Sequence, residues 1–262
     1  MCSFFSGNTW TVTYLLIYIY FHLSNYRTFK AYYKEPVSNI LKPYFPKLVS
    51  YNRFVELMQE ALIPLLLYMK KFRTDKCTGI SFIDSTTLDV CHNRRIHSHK
   101  VFKGIAERGK SSTGWFYGFK LHLIINDKGE IISFYLTTGN VDDRDPNTIE
   151  TLTKDLFGKL FGDKGYLSQK ISDILYPKGI HLITKLKKNM KNKLMLMEDK
   201  ILLRKRAIIV TIKDHLKNIC QIEHSRHRSF TNFMVNIVSG LVGYSFLPKK
   251  PSFRLDKYPV ST

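Results

Sequence analysis

The stretch GISFIDSTTLDV, residues 79–90, decides the fold. It is rich in β-branched and aromatic residues and follows Gly79, so it predicts a β-strand. One carboxylate, Asp84, lies in the middle of the run. A carboxylate on a buried strand must be paired, hydrogen-bonded or bound to a metal ion, because burying a bare charge is costly. The stretch therefore predicts both a sheet and a functional group within it.

Further strand and helix patterns follow this first strand. Residues 114–126 (GWFYGFKLHLIIN) and 130–137 (EIISFYLT) predict two strands joined by a turn that ends at Gly129. Beyond them, helical and extended patterns alternate: a helix over 145–156 with Asp145 near its N-cap, a strand over 159–162, a helix that Ser168 caps and that runs to about residue 176, a strand over 180–186 and a long helical region over 198–243.

The predicted order is β β β α β α β α. Antiparallel strands come first, and the later units require parallel crossovers. We therefore expect an α/β, ribonuclease H-like fold, with a mixed five-stranded sheet flanked by helices. Helix-type apolar spacing at 52–67, with Asn52 as a candidate N-cap, adds an N-terminal helical segment. The predicted regions are 1–75 (helical, DNA-binding), 76–246 (catalytic) and 247–262 (irregular tail).

Composition narrows the classes of partner. The chain has 262 residues and a formal net charge of +20, which favours a polyanion such as nucleic acid. The apolar stretch at 10–23 is shorter than the roughly twenty residues of a spanning helix, so we expect a buried helix and no membrane. Four cysteines without a CxxC pair predict neither a disulfide framework nor a zinc site, and they fit the cytoplasm.

A second carboxylate, Asp163, follows the predicted strand at 159–162. If that strand neighbours the first one, Asp84 and Asp163 lie side by side, and they repel unless a cation lies between them. Oxygen ligands suit Mg²⁺ or Mn²⁺, and two such ions can support in-line phosphoryl transfer. Plainer interpretations stay open, because either residue could instead stabilise a turn.

Residues 91–110 form a basic segment next to the first strand, with six Lys or Arg and three His against one acidic residue. It predicts a phosphate-binding surface, although a solvated basic loop gives the same pattern. Trp115 and Phe116 are assigned to the core in preference to base stacking, and Asp142 and Asp143 to a turn in preference to a metal site. The candidate DNA-binding residues are Arg94, Arg95, His97, His99, Lys100 and Lys103, together with Lys164 and Lys217 farther along the chain.

Several motifs together resemble bacterial insertion-sequence transposases of the DDE type, most closely the nine-eight-two family. They are FIDSTTLDVCHNRRIHSHKVFKG, GWFYGFKLHL, GNVDDR, LFGDKGY, ITKLKKNMKN and QIEHSRHRS. The resemblance implies a ribonuclease H-like domain in which three carboxylates and Mg²⁺ cut and rejoin double-stranded DNA at element ends. Asp84 and Asp163 match the first two acidic positions. The resemblance also implies that the protein acts at the nucleoid, and transposases of this kind often act as homodimers.

The third acidic position departs from this pattern. Counting from Arg206, Val210 stands where the family has Glu, and a valine has no oxygen for a metal ion. The next candidate is Glu223, thirteen residues farther on, which is too far to substitute if one helix joins them. We therefore expect a degenerate copy. The alternatives are a metal-dependent nuclease of the same fold and a non-catalytic DNA-binding relic.

Overall fold

The computed structural model describes residues 9–45, 47–185, 195–223 and 227–252. These residues form two compact units. The helical unit takes its residues from Met1–Arg73 and Asp214–Leu247, and the sheet unit from Thr74–Lys213 and Pro248–Thr262. The predicted regions followed chain order, whereas these units interleave, because residues 214–247 belong with the N-terminal helices. The assignment of DNA binding to residues 1–75 stays a prediction.

Helices and strands make up most of both units. In chain order they are α1 (Thr9–Phe21), α2 (Phe29–Tyr32), α3 (Tyr51–Leu57), α4 (Leu62–Tyr68), β1 (Ile80–Asp89), β2 (Glu107–Ser111), β3 (Gly114–Asn126), β4 (Ile131–Thr138), α5 (Pro146–Leu152), β5 (Gly158–Gly162), α6 (Gln169–Leu175), β6 (Ile180–Thr184), α7 (Met197–Lys205), α8 (Ala207–Asp214) and α9 (Phe230–Ser245). Short 3₁₀ or π-helical segments lie at Tyr33–Ile40, Lys42–Tyr44, Met58–Ala61, Met69–Arg73, Asn93–Ser98, Lys164–Tyr166, Tyr176–Lys178 and His215–Ile219.

The helical unit is built around α1 and α9. Ile17 and Tyr18 of α1 are buried, whereas Leu16 and Tyr20 are more than half exposed, so the prediction of a buried helix is confirmed for one face of α1. His22 follows α1 and is also buried; its Nε2 lies 2.8 Å from the Ser239 hydroxyl of α9. This contact ties the start of the chain to a helix more than two hundred residues later. Within the described part of the chain, no helix has the length and apolar composition needed to cross a bilayer.

The sheet unit contains a mixed, curled sheet with the strand order β2-β3-β1-β5-β6 and with β4 also paired to β3. β1 is antiparallel to β3 and parallel to β5, and β5 is parallel to β6. The predicted mixed α/β architecture flanked by helices is confirmed at this level. The additional strand β2 was not predicted, because its five residues, ERGKS, carry three charges and little apolar pattern.

Local capping explains where some helices begin. Pro146 occupies the first position of α5, and the Asp145 carboxylate accepts a hydrogen bond from Thr148 N at 2.9 Å, as predicted. The predicted cap of α3 was wrong, because Ser50, not Asn52, is its N-cap. Gly129 has φ +74°, the conformation that a tight turn requires of glycine.

The predicted long helix over 198–243 is interrupted. α8 continues through a π-helical segment to Ile219, and Gln221 then has φ +49°, which ends the helical path. α9 begins only at Phe230. Val210 and Glu223 therefore do not share one continuous helix.

A hydrophobic core fills one face of the sheet. Ile83 of β1 and Ile124 of β3 are fully buried there, against α5 and α6. The other members of this cluster are Ile132, Ile149, Leu152, Leu156, Leu160, Tyr166, Ile171, Leu175 and Ile180. Because Ile83 immediately precedes Asp84, the packing of this face fixes the position of the carboxylate on the strand.

Candidate active site

Asp84 lies within β1, and Asp163 follows the last residue of β5. The two strands are parallel neighbours, which confirms the predicted adjacency, and their last registered pair is Phe82 with Phe161. Asp84 and Asp163 each lie two residues beyond that pair. The two carboxylates therefore occupy equivalent positions on adjacent strands, although 79 residues separate them in the sequence.

One guanidinium group contacts both carboxylates. Arg206 Nη2 lies 3.3 Å from Asp163 Oδ1, and Arg206 Nη1 lies 3.7 Å from Asp84 Oδ2. Both oxygens are thus within the span of a single side chain. This geometry brings the two predicted acidic residues together, while their catalytic and metal-binding roles stay predictions.

A lysine makes a shorter contact with Asp84. Lys213 Nζ lies 2.6 Å from Asp84 Oδ2 and donates to the Ser85 carbonyl oxygen at 3.1 Å. The Asp84 side chain is only 16% exposed, so its charge needs such compensation. Neither Arg206 nor Lys213 was predicted to contact Asp84, because each lies more than a hundred residues from it and no local pattern joins them.

Val210 lies between these two cations along the chain. Arg206 immediately precedes α8 and Lys213 lies in its last turn, so the three residues are spaced i, i+4 and i+7 on one side of the helical path. Val210 is 49% exposed, whereas the neighbouring Ile209 and Ile212 are fully buried. The position predicted to carry a third carboxylate therefore lies on the helix face whose neighbours contact Asp84 and Asp163.

Glu223 and Lys217, a fallback ligand and a candidate DNA contact, both lie in the helical unit. Lys217 Nζ is 3.0 Å from Glu223 Oε2, which makes them an ion pair. Their predicted roles stay predictions.

Buried polar groups lie near Asp84 on the opposite face of the sheet. His122 of β3 pairs in register with Ser85, and its Nε2 lies 2.9 Å from the Thr137 hydroxyl. Burial lowers the pKa of His122 to about 4, with opposing effects of nearby carboxylates too small to restore it. Alternation along β3 places His122 on the same face as Lys120 and opposite Leu121 and Leu123, so no local pattern indicated that this histidine is buried.

Another ion pair, between Lys120 and Asp143, lies near His122. Lys120 Nζ contacts Asp143 Oδ1 at 3.2 Å and donates to the Val141 carbonyl oxygen at 2.7 Å. Burial, and then the charges of Asp143 and Asp84, raise the pKa of the nearby Tyr166. Asp143, predicted to be a turn residue, is thus also an acidic neighbour of the Asp84 region. Asp142 forms the expected turn, in which it accepts two side-chain hydrogen bonds from Arg144.

The basic segment lies largely on the surface. Its 3₁₀ turn at Asn93–Ser98 is exposed at Arg94, Arg95 and His97, and Lys100 and Lys103 are exposed after it. His99 is half-buried, with its ring 5.5 Å from that of Phe102. Lys164 is exposed directly after Asp163. These placements suit phosphate contacts, and the DNA-binding roles stay predictions.

The assignment of Trp115 to the core was wrong. Trp115 is 57% exposed, whereas Phe116 is buried as predicted. Residues on both faces of β3 are buried from Phe116 onward, so Trp115 is exposed because it lies next to the turn that joins β2 and β3.

Two carboxylates give an oxygen-only donor set, which is the chemistry that Mg²⁺ and Mn²⁺ prefer. No group of three or more His, Cys, Asp or Glu side chains among the described residues could hold a metal ion. The donor set fits a hard divalent cation in kind, but it is one carboxylate short of the predicted three.

No curated protein matches the chain. A scan of protein families matches residues 74–230 to the family described as Transposase DDE domain. The match covers Asp84, Asp163 and Val210, and it also includes parts of two predicted motifs, at 186–192 and 224–226, that lie outside the described residues. Because the match extends over more than half of the sequence, the chain belongs to the family of proteins with a transposase DDE domain.

Proposed function

We propose that this chain is an insertion-sequence transposase of the nine-eight-two group whose catalytic domain has a ribonuclease H-like fold. The observation that carries the proposal is the convergence of Asp84 and Asp163 on one guanidinium group, within the matched domain. Its substrates are double-stranded DNA at element ends and at a target. Such a protein works at the nucleoid in the cytoplasm, and a homodimer would bring two ends together.

Asp84 and Asp163 would hold Mg²⁺ or Mn²⁺. The bound ion supplies Lewis-acid activation of a phosphodiester and of the attacking hydroxyl group. The protein's own residues position this chemistry. β1 and β5 hold the two carboxylates at one level of the sheet, and Lys164 and the basic segment lie on the exposed surface of the same unit, where they can meet phosphates.

The same site supports a reduced activity. A carboxylate at position 210 would join Asp84 and Asp163 on the face bounded by Arg206 and Lys213, but valine provides no ligand there. The two cations meanwhile neutralise the remaining carboxylates. We therefore propose a degenerate copy, and this observation also favours the second candidate function, a DNA-binding relic without catalysis.

Restoring the carboxylate tests the proposal. In Val210→Glu we expect Mg²⁺- or Mn²⁺-dependent cleavage of DNA from the ends of the element to rise by at least about tenfold, because each ~1.4 kcal/mol of transition-state stabilisation changes the rate tenfold. Cleavage is measured on end-labelled duplexes, and strand transfer is measured as labelled DNA joined to a plasmid target. Cleavage without joining would favour the nuclease alternative.

Two controls sharpen this comparison. Thr211→Glu adds the same charge one residue farther along α8, away from the face that Arg206 and Lys213 define, and should not raise cleavage. Asp84→Asn in the Val210→Glu background should abolish the gain. If the wild-type chain already cleaves as well as Val210→Glu, position 210 is not the third acidic position and Glu223 becomes the better candidate. DNA binding without any metal-dependent cleavage in either protein would identify a relic.

A further inference from the structure

Trp115 presents an exposed ring on the hairpin formed by β2 and β3. Lys110 of β2 pairs directly with Trp115, and Arg108 lies two residues earlier on the same face of that strand. β2 ends the strand order of the sheet, so this hairpin lies at the periphery of the unit. An indole ring that is more than half exposed in a stable hairpin is free to contact a ligand.

Two cations lie over this ring. Arg108 Cζ is 5.6 Å and Lys110 Nζ is 5.8 Å from the ring centroid of Trp115. Both side chains are exposed, which leaves their charges available to phosphates. The one acidic residue of β2, Glu107, pairs with Gly118 and lies on the other face of the strand. The face that carries Trp115 is therefore aromatic and positively charged.

A further contact joins this ring to the predicted phosphate-binding surface. The Asn93 side-chain amide donates to the backbone carbonyl oxygen of Trp115 at 2.6 Å. Asn93 begins the 3₁₀ turn that exposes Arg94 and Arg95. Two basic side chains therefore lie over the exposed indole, and the turn that carries Arg94 and Arg95 is hydrogen-bonded to the backbone of the same residue.

We propose that Trp115, flanked by Arg108 and Lys110, is a stacking site for an unpaired DNA base. Rings accept bases of any identity because every base has a π-face, and the flanking cations meet the phosphates on either side of the stacked nucleotide. A duplex offers no unpaired base, so its binding does not depend on this ring. The inference rests on the proposed function in DNA transposition and names the single-stranded part of the substrate.

Two strands of equal length test this site. The probes are an oligothymidylate of about 16 nucleotides and an abasic phosphodiester strand with the same number of phosphates. We expect Trp115→Ala to weaken binding of the oligothymidylate by about tenfold, to leave binding of the abasic strand unchanged, and Trp115→Phe to retain most of the affinity. The control is Tyr176→Ala, which removes another aromatic ring of the same unit that is 72% exposed.

Fluorescence gives an independent readout. The chain has two tryptophans, so in a Trp10→Phe background the emission reports on Trp115 alone. We expect oligothymidylate to quench this emission and the abasic strand to leave it unchanged. Equal losses of affinity for both strands, or no loss for either, would overturn the stacking site while duplex binding continues to support the proposed function. Failure of the wild-type protein to bind either strand or a duplex would overturn both.

Discussion

His122 is a fully buried histidine of β3 that pairs with Ser85, the residue after Asp84. Its ring bonds to the Thr137 hydroxyl, and burial keeps its pKa near 4, below the ordinary value of 6.5. The folded protein therefore holds this ring neutral over a range of pH in which the unfolded chain binds a proton. The stabilisation is complete above the unfolded pKa and is lost as pH falls toward the folded pKa.

We expect the free energy of unfolding to fall by about 3 kcal/mol between roughly pH 6.5 and pH 4 because of His122 alone. Urea unfolding followed by circular dichroism at several pH values measures this loss, and His122→Gln should flatten the curve in that window. The pKa of Asp142 is lowered chiefly by its hydrogen bond with Arg144, so its contribution is lost at lower pH and does not obscure the comparison. An unchanged pH dependence in His122→Gln would contradict the assignment.

Helices α5 and α6 show that the same local position can be capped or uncapped. The Asp145 carboxylate accepts hydrogen bonds from both the backbone and the hydroxyl of Thr148, at 2.9 and 2.8 Å. Ser168 occupies the N-cap of α6, but its side chain makes no capping hydrogen bond, which corrects the expectation that it caps this helix. The residue type at the N-cap does not by itself decide whether a capping hydrogen bond forms.

These two positions form a matched pair of variants. Asp145→Ala should destabilise the protein by about 1–2 kcal/mol, because the capping acceptor is lost, whereas Ser168→Ala should change its stability little. Asp145→Asn keeps an acceptor and should recover most of the loss. Chemical unfolding of the three variants measures the difference, and equal effects of the two alanine substitutions would show that capping is not the cause.

Over the whole molecule, the excess of cations predicts how DNA binding responds to salt. When a protein surface releases counterions from phosphates, the logarithm of its binding constant falls linearly with log[salt]. With a net charge of +20 and the exposed basic segment, we expect a steep dependence on salt.

Removing Arg94 and Arg95 together should reduce the slope of log K against log[NaCl] by about 2, since each phosphate contact contributes about 0.9. Fluorescence anisotropy with a labelled duplex at several NaCl concentrations measures the slope. The control is the double substitution Lys154→Ala and Lys170→Ala, which removes the same charge from exposed positions of the same unit. Equal changes in both proteins would mean that net charge, not this surface, determines binding.

Much of the sheet could be predicted from short windows of sequence. The strand at 114–126 was predicted with its observed bounds, because alternating apolar residues and a following turn encode a strand locally. The adjacency of β1 and β5 followed from the order of the elements. β2 could not be predicted, since a short charged strand forms only through its pairing with β3.

By itself, the sequence determined where the strands other than β2 run, that Asp84 lies on one of them and Asp163 directly follows another, and that position 210 lacks an oxygen ligand. These properties depend on residue type and local periodicity. Only the tertiary structure decided that Arg206 and Lys213 hold the two carboxylates, that residues 214–247 belong with the N-terminal helices, and that Trp115 faces solvent. Such contacts join residues far apart in the chain, so they depend on the path of the whole backbone and not on any local pattern.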